Sequence, residues 1–588
     1  MAIDGVTLSC CRRELEKKLL GARVDKAYQP SDNFLTLKLR IEGENPVLLT
    51  AIDPRQARIH ITEVDFSNPP KPPVFAMVLR KYLQHARLEG IKQPGMERML
   101  EFKFKSGSDY RLIAEIMGRY SNVILVDENN VIKDAMKRIP PEKDSARTLM
   151  PNEKYQPPPP QDKTSPLKLN RSIWKKLAEE SLQDRAYRAI LNNIQGFGPD
   201  LAREIVFQAG VDPEKEYRRL SSEEKKSVEN YLFDFLSRIK NYDFQPALGI
   251  DSKGDVVYQS AFPLKHYQDL KHKKFSDTAA MFDYFYENHI LRKDRERRRK
   301  RLKDIINNYQ EKNEKQQHKI EGKLEQSRHA DKYKRRGELL KANLHRVEQG
   351  QQEVEVIDYY QEDQPEITIP LDGDLTPADN VEKLFKKYNK LKKSRDHLIR
   401  EMARFRHEEK YLNQVELKID QAETMNDLDE IENELVEEGY IQEKEQKKSD
   451  VRTEKSKPRR FYSEDGYQVL VGRNNRQNDR LTTQVASEDD LWVHTRKIAG
   501  SHVIVRNHRT DREIPETTIH EAALLAAYYS QARQSKNVPV DFTTIKNVSK
   551  PKGAKPGIVY YDNHSTLYVT PEKDKIKKIA GRDRPEDL

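Results

Sequence analysis

The chain has 588 residues, 36% hydrophobic and 34% charged, which is too polar for a single compact globule and fits about four domains with highly exposed elements. Its 106 Lys+Arg against 96 Asp+Glu leave +10, a balance that points to a polyanionic partner. No run of 18 apolar residues occurs, the first twenty residues lack an apolar signal core, and the only cysteines are the adjacent Cys10 and Cys11. A membrane span, secretion, a disulfide framework and a thiolate zinc site are therefore not expected, and a reducing cytoplasm is.

In chain order, Leu8, Cys11, Leu15 and Leu19 share one helical stripe, with Asp4 placed to cap it. Period-2 runs follow at Leu35–Ile41, Val47–Ile52 and Ile59–Ile61. After the prolines 69–73 a helix is expected over Val74–Ala86, then strands at Leu100–Phe104, Tyr110–Met117 and Asn122–Val126. This reads as an antiparallel α+β domain over 1–160, closed by the proline run 157–160. Residues 161–285 read as a helical domain holding Ile194-Gln195-Gly196-Phe197-Gly198-Pro199. That is a helix-hairpin-helix form, whose glycines let amides approach a phosphate at a helix N-terminus; the alternative is an ordinary tight turn.

From about 290 the composition shifts. Arg292 to Arg301 holds eight basic and two acidic residues, and residues 291–350 carry a net +10 on their own, so the rest sums to zero. Apolar residues recur at 3–4 spacing from Val381 to Ala422, and more sparsely from Leu302 to Val347. Residues 286–440 are read as a long antiparallel coiled coil with a small element at about 351–380 between its arms. A solvated charged coiled coil explains the mixed charge but not the one-sided basic burst. A charged linker (441–460) leads to a C-terminal α+β domain (461–571). Its expected strands are Tyr467–Val471, Leu491–His494, His502–Val505, Gly557–Tyr561 and Thr566–Thr570, with a helix from Ile519 to Gln534. The tail 572–588 is read as polar and loose.

No Walker loop, dinucleotide fingerprint or nucleophile elbow is present, and the spacings of His494, His502, His508 and His520 match no zinc motif; no catalytic residue, cofactor or metal is expected. Glu97-Arg98, in the polar turn Gln93–Arg98, sets a carboxylate beside a guanidinium, either as exposed charge or as a fork for phosphate or base edges. Arg473, Asn474, Asn475 and Arg476 follow a strand and offer donors suited to RNA. Trp492 and its tyrosine-rich surroundings could stack bases or fill a core. Lys552 and Lys555 sit in a basic loop that suits phosphate contact.

Several motifs together resemble one family. They are Ala2-Ile3-Asp4-Gly5, Gly21–Pro30, Leu79–Leu83 and Glu115–Asn122 near the N-terminus, and Phe385–Lys393 in the middle. In the C-terminal part they are Gly472–Asp479, Asp490–His494, Gly500–Val503 and Pro551–Gly557. From residue 1 to about 571 the chain resembles the NFACT proteins. The resemblance implies an N-terminal domain similar to the formamidopyrimidine-DNA glycosylase fold, although Ala2 follows the initiator Met and no cysteine pair could hold zinc, so glycosylase activity is not implied. It further implies a ribosome-associated quality-control factor that binds the large ribosomal subunit, both rRNA and stalk-base proteins, while it carries obstructed peptidyl-tRNA. Such a factor recruits alanyl-tRNA and supports template-free alanine tailing of the nascent chain for degradation, with peptide-bond chemistry left to ribosomal RNA.

The tRNA-binding residues implied are Glu97 and Arg98, where the family has an Asp-Arg pair, with Asp4 as a second acidic position, and Arg119 within Glu115–Asn122. RNA binding is implied for Arg473, Asn474, Asn475, Arg476, Trp492, His494, His502, Lys552 and Lys555. Lys497 and Ala499 stand where the family has Asp and Pro, which removes an acidic contact. Some bacterial relatives are labelled fibronectin-binding, so a surface adhesin is the alternative reading and fibronectin a secondary ligand; a DNA repair enzyme is a third.

Overall fold

The computed structural model describes residues 3–141, 147–159, 161–442, 456–508 and 513–582, which form two compact units, one ending at Asp294 and one beginning at Arg295. The first opens with α1 (Gly5–Leu19), capped by Asp4, whose carboxylate accepts from the Thr7 amide at 2.7 Å. The sheet strands follow as β1 (Arg23–Ser31), β2 (Phe34–Arg40), β3 (Val47–Ala51) and β4 (Arg58–Thr62). After α2 (Val74–Leu83) come β5 (Arg87–Lys92), β6 (Met99–Ser106), β7 (Ser108–Glu115), β8 (Asn122–Asp127) and β9 (Ile132–Ala135). They form one antiparallel nine-stranded sheet in the order β4-β3-β2-β1-β5-β6-β7-β8-β9.

Three of these strands escape the period-2 reading. β1 carries irregularities at Val24/Lys26 and Tyr28/Ser31, and β5 one at Leu88/Gly90. An extra residue shifts the in-out alternation, which erases the pattern. β9 has only four residues.

Then come α3 (Arg171–Glu180), α4 (Ala186–Asn193), α5 (Pro199–Gln208) and α6 (Ser222–Lys240), the last opened by a Ser221/Glu224 capping box. The stretch beyond is not purely helical. β10 (Ala247–Ile250), β11 (Val256–Ser260) and β12 (Lys271–Lys274) make a small sheet before α7 (Thr278–Phe285). α1 is a shared wall. Leu8, Cys11, Leu15 and Leu19 pack with the large sheet, while Val6 and Cys10 join Met96 and the helical cluster around Trp174 and Phe235.

In the second unit, α8 (Leu291–Arg328), which belongs to this unit from Arg295 on, and α9 (Ala330–Ala342) run antiparallel to α10 (Pro377–Gln421). Leu302 and Ile306 meet Tyr411, Leu412, Val415 and Ile419; farther along, Ile320 meets Leu398 and Met402. The 45 residues of α10 span about 68 Å. The element between the arms is a hairpin of β13 (Glu353–Ile357) and β14 (Glu366–Pro370). α11 (Met425–Glu437) turns back at a Thr424/Asp427 capping box.

The C-terminal domain has β15 (Arg459–Tyr462), β16 (Gln468–Val471), α12 (Asn475–Arg480), β17 (Leu491–Thr495), β18 (Val503–Val505) and α13 (Glu516–Tyr528). It continues through β19 (Val538–Thr544), β20 (Val548–Ser549), β21 (Tyr560–Tyr561), β22 (Ser565–Val569) and α14 (Lys573–Ala580). Six strands make an antiparallel sheet, β15-β16-β18-β17-β19-β22, with α13 on one face.

The fold class is therefore as the sequence implies, multidomain α+β with a long antiparallel coiled coil, but besides the small sheet within 161–285 two further local readings change. Lys573–Arg584 is not simply loose, because α14 buries Ile576 and Ile579 against the α13 cluster. Arg459, read as linker, lies in β15 with its side chain buried over the Tyr529 ring. The linker reading over 443–455 and the tail from 583 fall outside the described residues.

Candidate nucleic-acid interface

In the first unit, three segments far apart in sequence are drawn together by glycines. Gly5 has no room for a side chain, since a Cβ there would lie 1.9 Å from the Met96 carbonyl oxygen and 2.7 Å from the Gly196 Cα. Gly196, at φ +85°, would likewise drive a Cβ to 2.5 Å from that of Met96. The Val6 amide donates to the Gly196 carbonyl at 3.2 Å, and Gln93 Nε2 donates to the carbonyls of Gly5 and Glu97, both at 2.8 Å. Gln195 Nε2 donates to Glu97 Oε1 at 2.6 Å, which fixes that carboxylate, and the Met96 amide donates to Gln195 Oε1 at 3.3 Å.

This packing leaves an open cavity of about 430 Å³ lined by Asp4, Glu97, Arg98, Lys163 and the Gly196–Asp200 turn. The volume suits a single nucleotide or small group, and the lining mixes carboxylates with cations. Burial pulls the Lys163 ammonium below its ordinary range, with Glu97 opposing and Arg98 adding to the effect. Burial also pushes the Asp4 carboxyl up, against the pull of the Thr7 and Gly198 amides. Asp4 thus lies against Gly198 at the start of α5, so a carboxyl of the chain itself sits at the helix-hairpin-helix turn. Asp4, Glu97 and Arg98 come together. Arg119 does not line the cavity; it sits in the turn Gly118–Tyr120 with its guanidinium 4.7 Å from the exposed Tyr120 ring. Lys163 and Gln161 also line the cavity, and nothing in their local sequence separates them from other polar residues after a proline run.

The C-terminal candidates behave differently. Arg473 reaches Glu423 at 3.4 Å, Asp427 at 3.5 Å and the Lys457 carbonyl at 3.1 Å. Asn474 donates to Glu430, Asn475 to Glu434 at 3.0 Å, and Arg476 to the Asn433 carbonyl at 3.2 Å and to Glu437. Lys555 binds Glu408 at 2.8 Å and the Tyr440 hydroxyl, with the rings of Tyr411 and Tyr440 each 4.5 Å away. These donors are engaged by the acidic side of α11 and the adjoining part of α10, so the donors that the sequence offers for RNA have partners within the chain.

Trp492 and His502 are buried and His494 is nearly so; the indole packs among Leu470, Leu481 and Ile504, so it cannot stack on a base. Burial holds His494 down at about 4 and His502 well below its usual range. Of the nine residues, Lys552 alone is exposed. The exposed aromatic rings of this domain among the described residues are Tyr560 and Tyr568, which no sequence pattern distinguished. No group of three His, Cys, Asp or Glu placed to hold a metal occurs among the described residues, and no described helix is long and apolar enough to cross a membrane.

Comparison with known proteins finds two family domains in the chain. Residues 4–454 match the NFACT N-terminal and middle domains, and residues 457–563 the NFACT protein RNA binding domain. The chain is 36% identical to the Rqc2 homolog RqcH of Bacillus subtilis, over 98% of this chain and 100% of the relative. It is 33% identical to the Rqc2 homolog RqcH of Streptococcus suis, again over 98% and 100%. The human ribosome quality control complex subunit NEMF is 25% identical over 59% of this chain and 33% of that protein. The solved C-terminal part of the fibronectin/fibrinogen-binding protein from Streptococcus suis is 33% identical over 48% of this chain and 98% of that one. The TM-score of that match is 0.39. With both family domains matched in order and full-length relatives above 30% identity, the chain belongs to the NFACT family of RNA-binding ribosome quality-control factors.

Proposed function

We propose that this chain recruits tRNA, alanyl-tRNA in particular, to a large ribosomal subunit carrying obstructed peptidyl-tRNA. There it supports template-free alanine tailing of the nascent chain for degradation. Its role is positioning, and the peptide bond is made by ribosomal RNA. The setting is the cytoplasm, on the ribosome. The observation that carries the reading is the convergence of Asp4, Glu97 and Arg98 with the Gly196–Asp200 turn on one open cavity. Glu97 is held by Gln195, so its neighbour Arg98 faces the cavity beside a carboxylate of fixed position, a pairing that suits base edges and phosphate at once. Glu97 stands where the resemblance implies Asp, and Gln195 holds its carboxylate at 2.6 Å.

Arg98→Ala is expected to weaken tRNA binding by tenfold or more while large-subunit binding stays within about twofold, since a lost bidentate contact costs about 1–3 kcal/mol. Filter binding with total tRNA and sedimentation with isolated large subunits measure the two. Equal loss of both would overturn the assignment of the cavity to tRNA.

A further inference from the structure

The outer face of β2, β1 and β5 carries a row of cations that the fold itself does not need. Arg23 of β1 stands directly opposite Arg40 of β2 and Arg87 of β5, and Arg87 in turn opposes Lys105 of β6. One step along, Lys26 opposes Lys38. All six are exposed. Like charges directly opposite on one face work against a sheet, so this register costs stability.

Asp25, the exposed extra residue of β1 between Arg23 and Lys26, forms no ion pair among the described residues, and the acids beyond it are engaged elsewhere. Asp109 is taken by Lys103 and Lys105 at 3.1 and 2.7 Å, and Glu89 by Lys103 at 3.3 Å. Among the described residues Arg23, Arg40, Arg87, Lys26 and Lys38 make no ion pair; Arg23 donates only to the His85 carbonyl at 3.3 Å. Lys26 and Lys38 lie 5.4 and 5.6 Å from the Tyr28 ring, which Arg80 also approaches at 5.2 Å. Among the described residues none of the large exposed apolar side chains belongs to β1, β2 or β5, so the face lacks the anchors a protein partner would use.

We infer that this face binds the phosphate backbone of a tRNA whose other part occupies the cavity. Five cations about 5 Å apart between strands and about 7 Å apart along one fit a chain of phosphates, which carries charge at short regular intervals, better than a single anion. The β5–β6 hairpin links the two places. Its turn Gln93–Arg98 reaches the cavity, and Arg87 lies six residues back along β5, about 20 Å away. A structured RNA with one end in the cavity has flanking backbone within that reach. The inference rests on the tRNA reading above.

The test is the full chain with Arg23, Arg40 and Arg87 all changed to Gln, beside R98A and the triple Arg→Lys variant. The triple Gln variant is expected to bind total tRNA at least tenfold more weakly at moderate salt. Its slope of log affinity on log salt should fall by about two to three. Large-subunit binding should hold, the melting temperature should be equal or higher because repulsion is relieved, and the Lys variant should restore tRNA binding. Unchanged tRNA affinity and slope, with R98A weakened, would overturn this inference alone. Loss of subunit binding with tRNA binding intact would also overturn it, by giving the face to ribosomal RNA. Weakening by the triple variant with R98A unaffected would support the face and overturn the cavity.

Discussion

Asp4 serves two helices. It caps α1 through Thr7, and it also faces the Gly198 amide at the start of α5, beneath the cavity that holds Glu97 and Arg98. A structural cap and an RNA contact make different demands on this side chain. Asparagine caps about as well as aspartate, whereas alanine loses about 1 kcal/mol. Asp4→Ala should therefore lower stability by roughly that amount, and Asp4→Asn should leave it nearly unchanged. If Asp4 also takes part in tRNA binding, Asp4→Asn should alter tRNA affinity without a shift in denaturation midpoint. Denaturant unfolding beside filter binding separates the two. An Asn variant that loses both would make Asp4 a folding residue alone. The sequence exposed the cap through its place before an apolar stripe; the proximity to Gly198, some 190 residues on, needed the fold.

At the scale of elements, the C-terminal motifs are joints. The segment Gly472–Asp479 docks on α11, and Gly472 itself leaves no room for a Cβ, which would fall 2.1 Å from Asn478 Oδ1. That amide also receives the His502 backbone N–H at 3.1 Å, and the His502 ring meets Thr482 at 2.7 Å. His494 and His502 are kept neutral by burial, so below about pH 6.5 the unfolded chain takes up protons that the folded domain refuses. Stability from these two groups is complete above 6.5 and is lost as pH falls toward 4, at up to about 1.4 kcal/mol per pH unit for each.

Glu434, pushed up to about 7 by burial, acts in the opposite sense between 7 and its unfolded value near 4.5. The informative quantity is therefore the difference between parent and His502→Gln, in which Glu434 cancels. Between pH 7 and pH 5 the variant should lose less stability than the parent in guanidinium unfolding followed at both pH values. Equal losses would mean that His502 is protonated in the folded state.

For the whole molecule, net charge alone does not show which cations are free. The burst Arg292–Arg301 accounts for much of the basic excess, yet several of its cations are paired within the chain. Arg298 meets Asp429 and Glu432, the latter also held by Arg301, while Arg299 donates to the Ile419 and Ala422 carbonyls at the end of α10. These contacts neutralise a helix C-terminus and an acidic helix face. Changing Arg298 and Arg301 to Gln should lower the denaturation midpoint while leaving the salt slope of tRNA binding unchanged. A slope reduced by about two would place phosphates on this segment after all.

What the sequence alone determined was whatever is written locally: the apolar stripes of α1 and α10, the Asp4 cap, the regular strands, and the motifs that mark the family. These depend on periods of two and 3.6 residues and on neighbours a turn away. Tertiary structure decided which charges are spent and which remain. Arg473, Arg476 and Lys555 look as free in sequence as Arg23, Arg40 and Arg87, but the first three meet carboxylates from distant helices and the last three meet one another across a sheet. A charge becomes available only through what the rest of the chain brings within about 4 Å of it, and no local pattern records that distance.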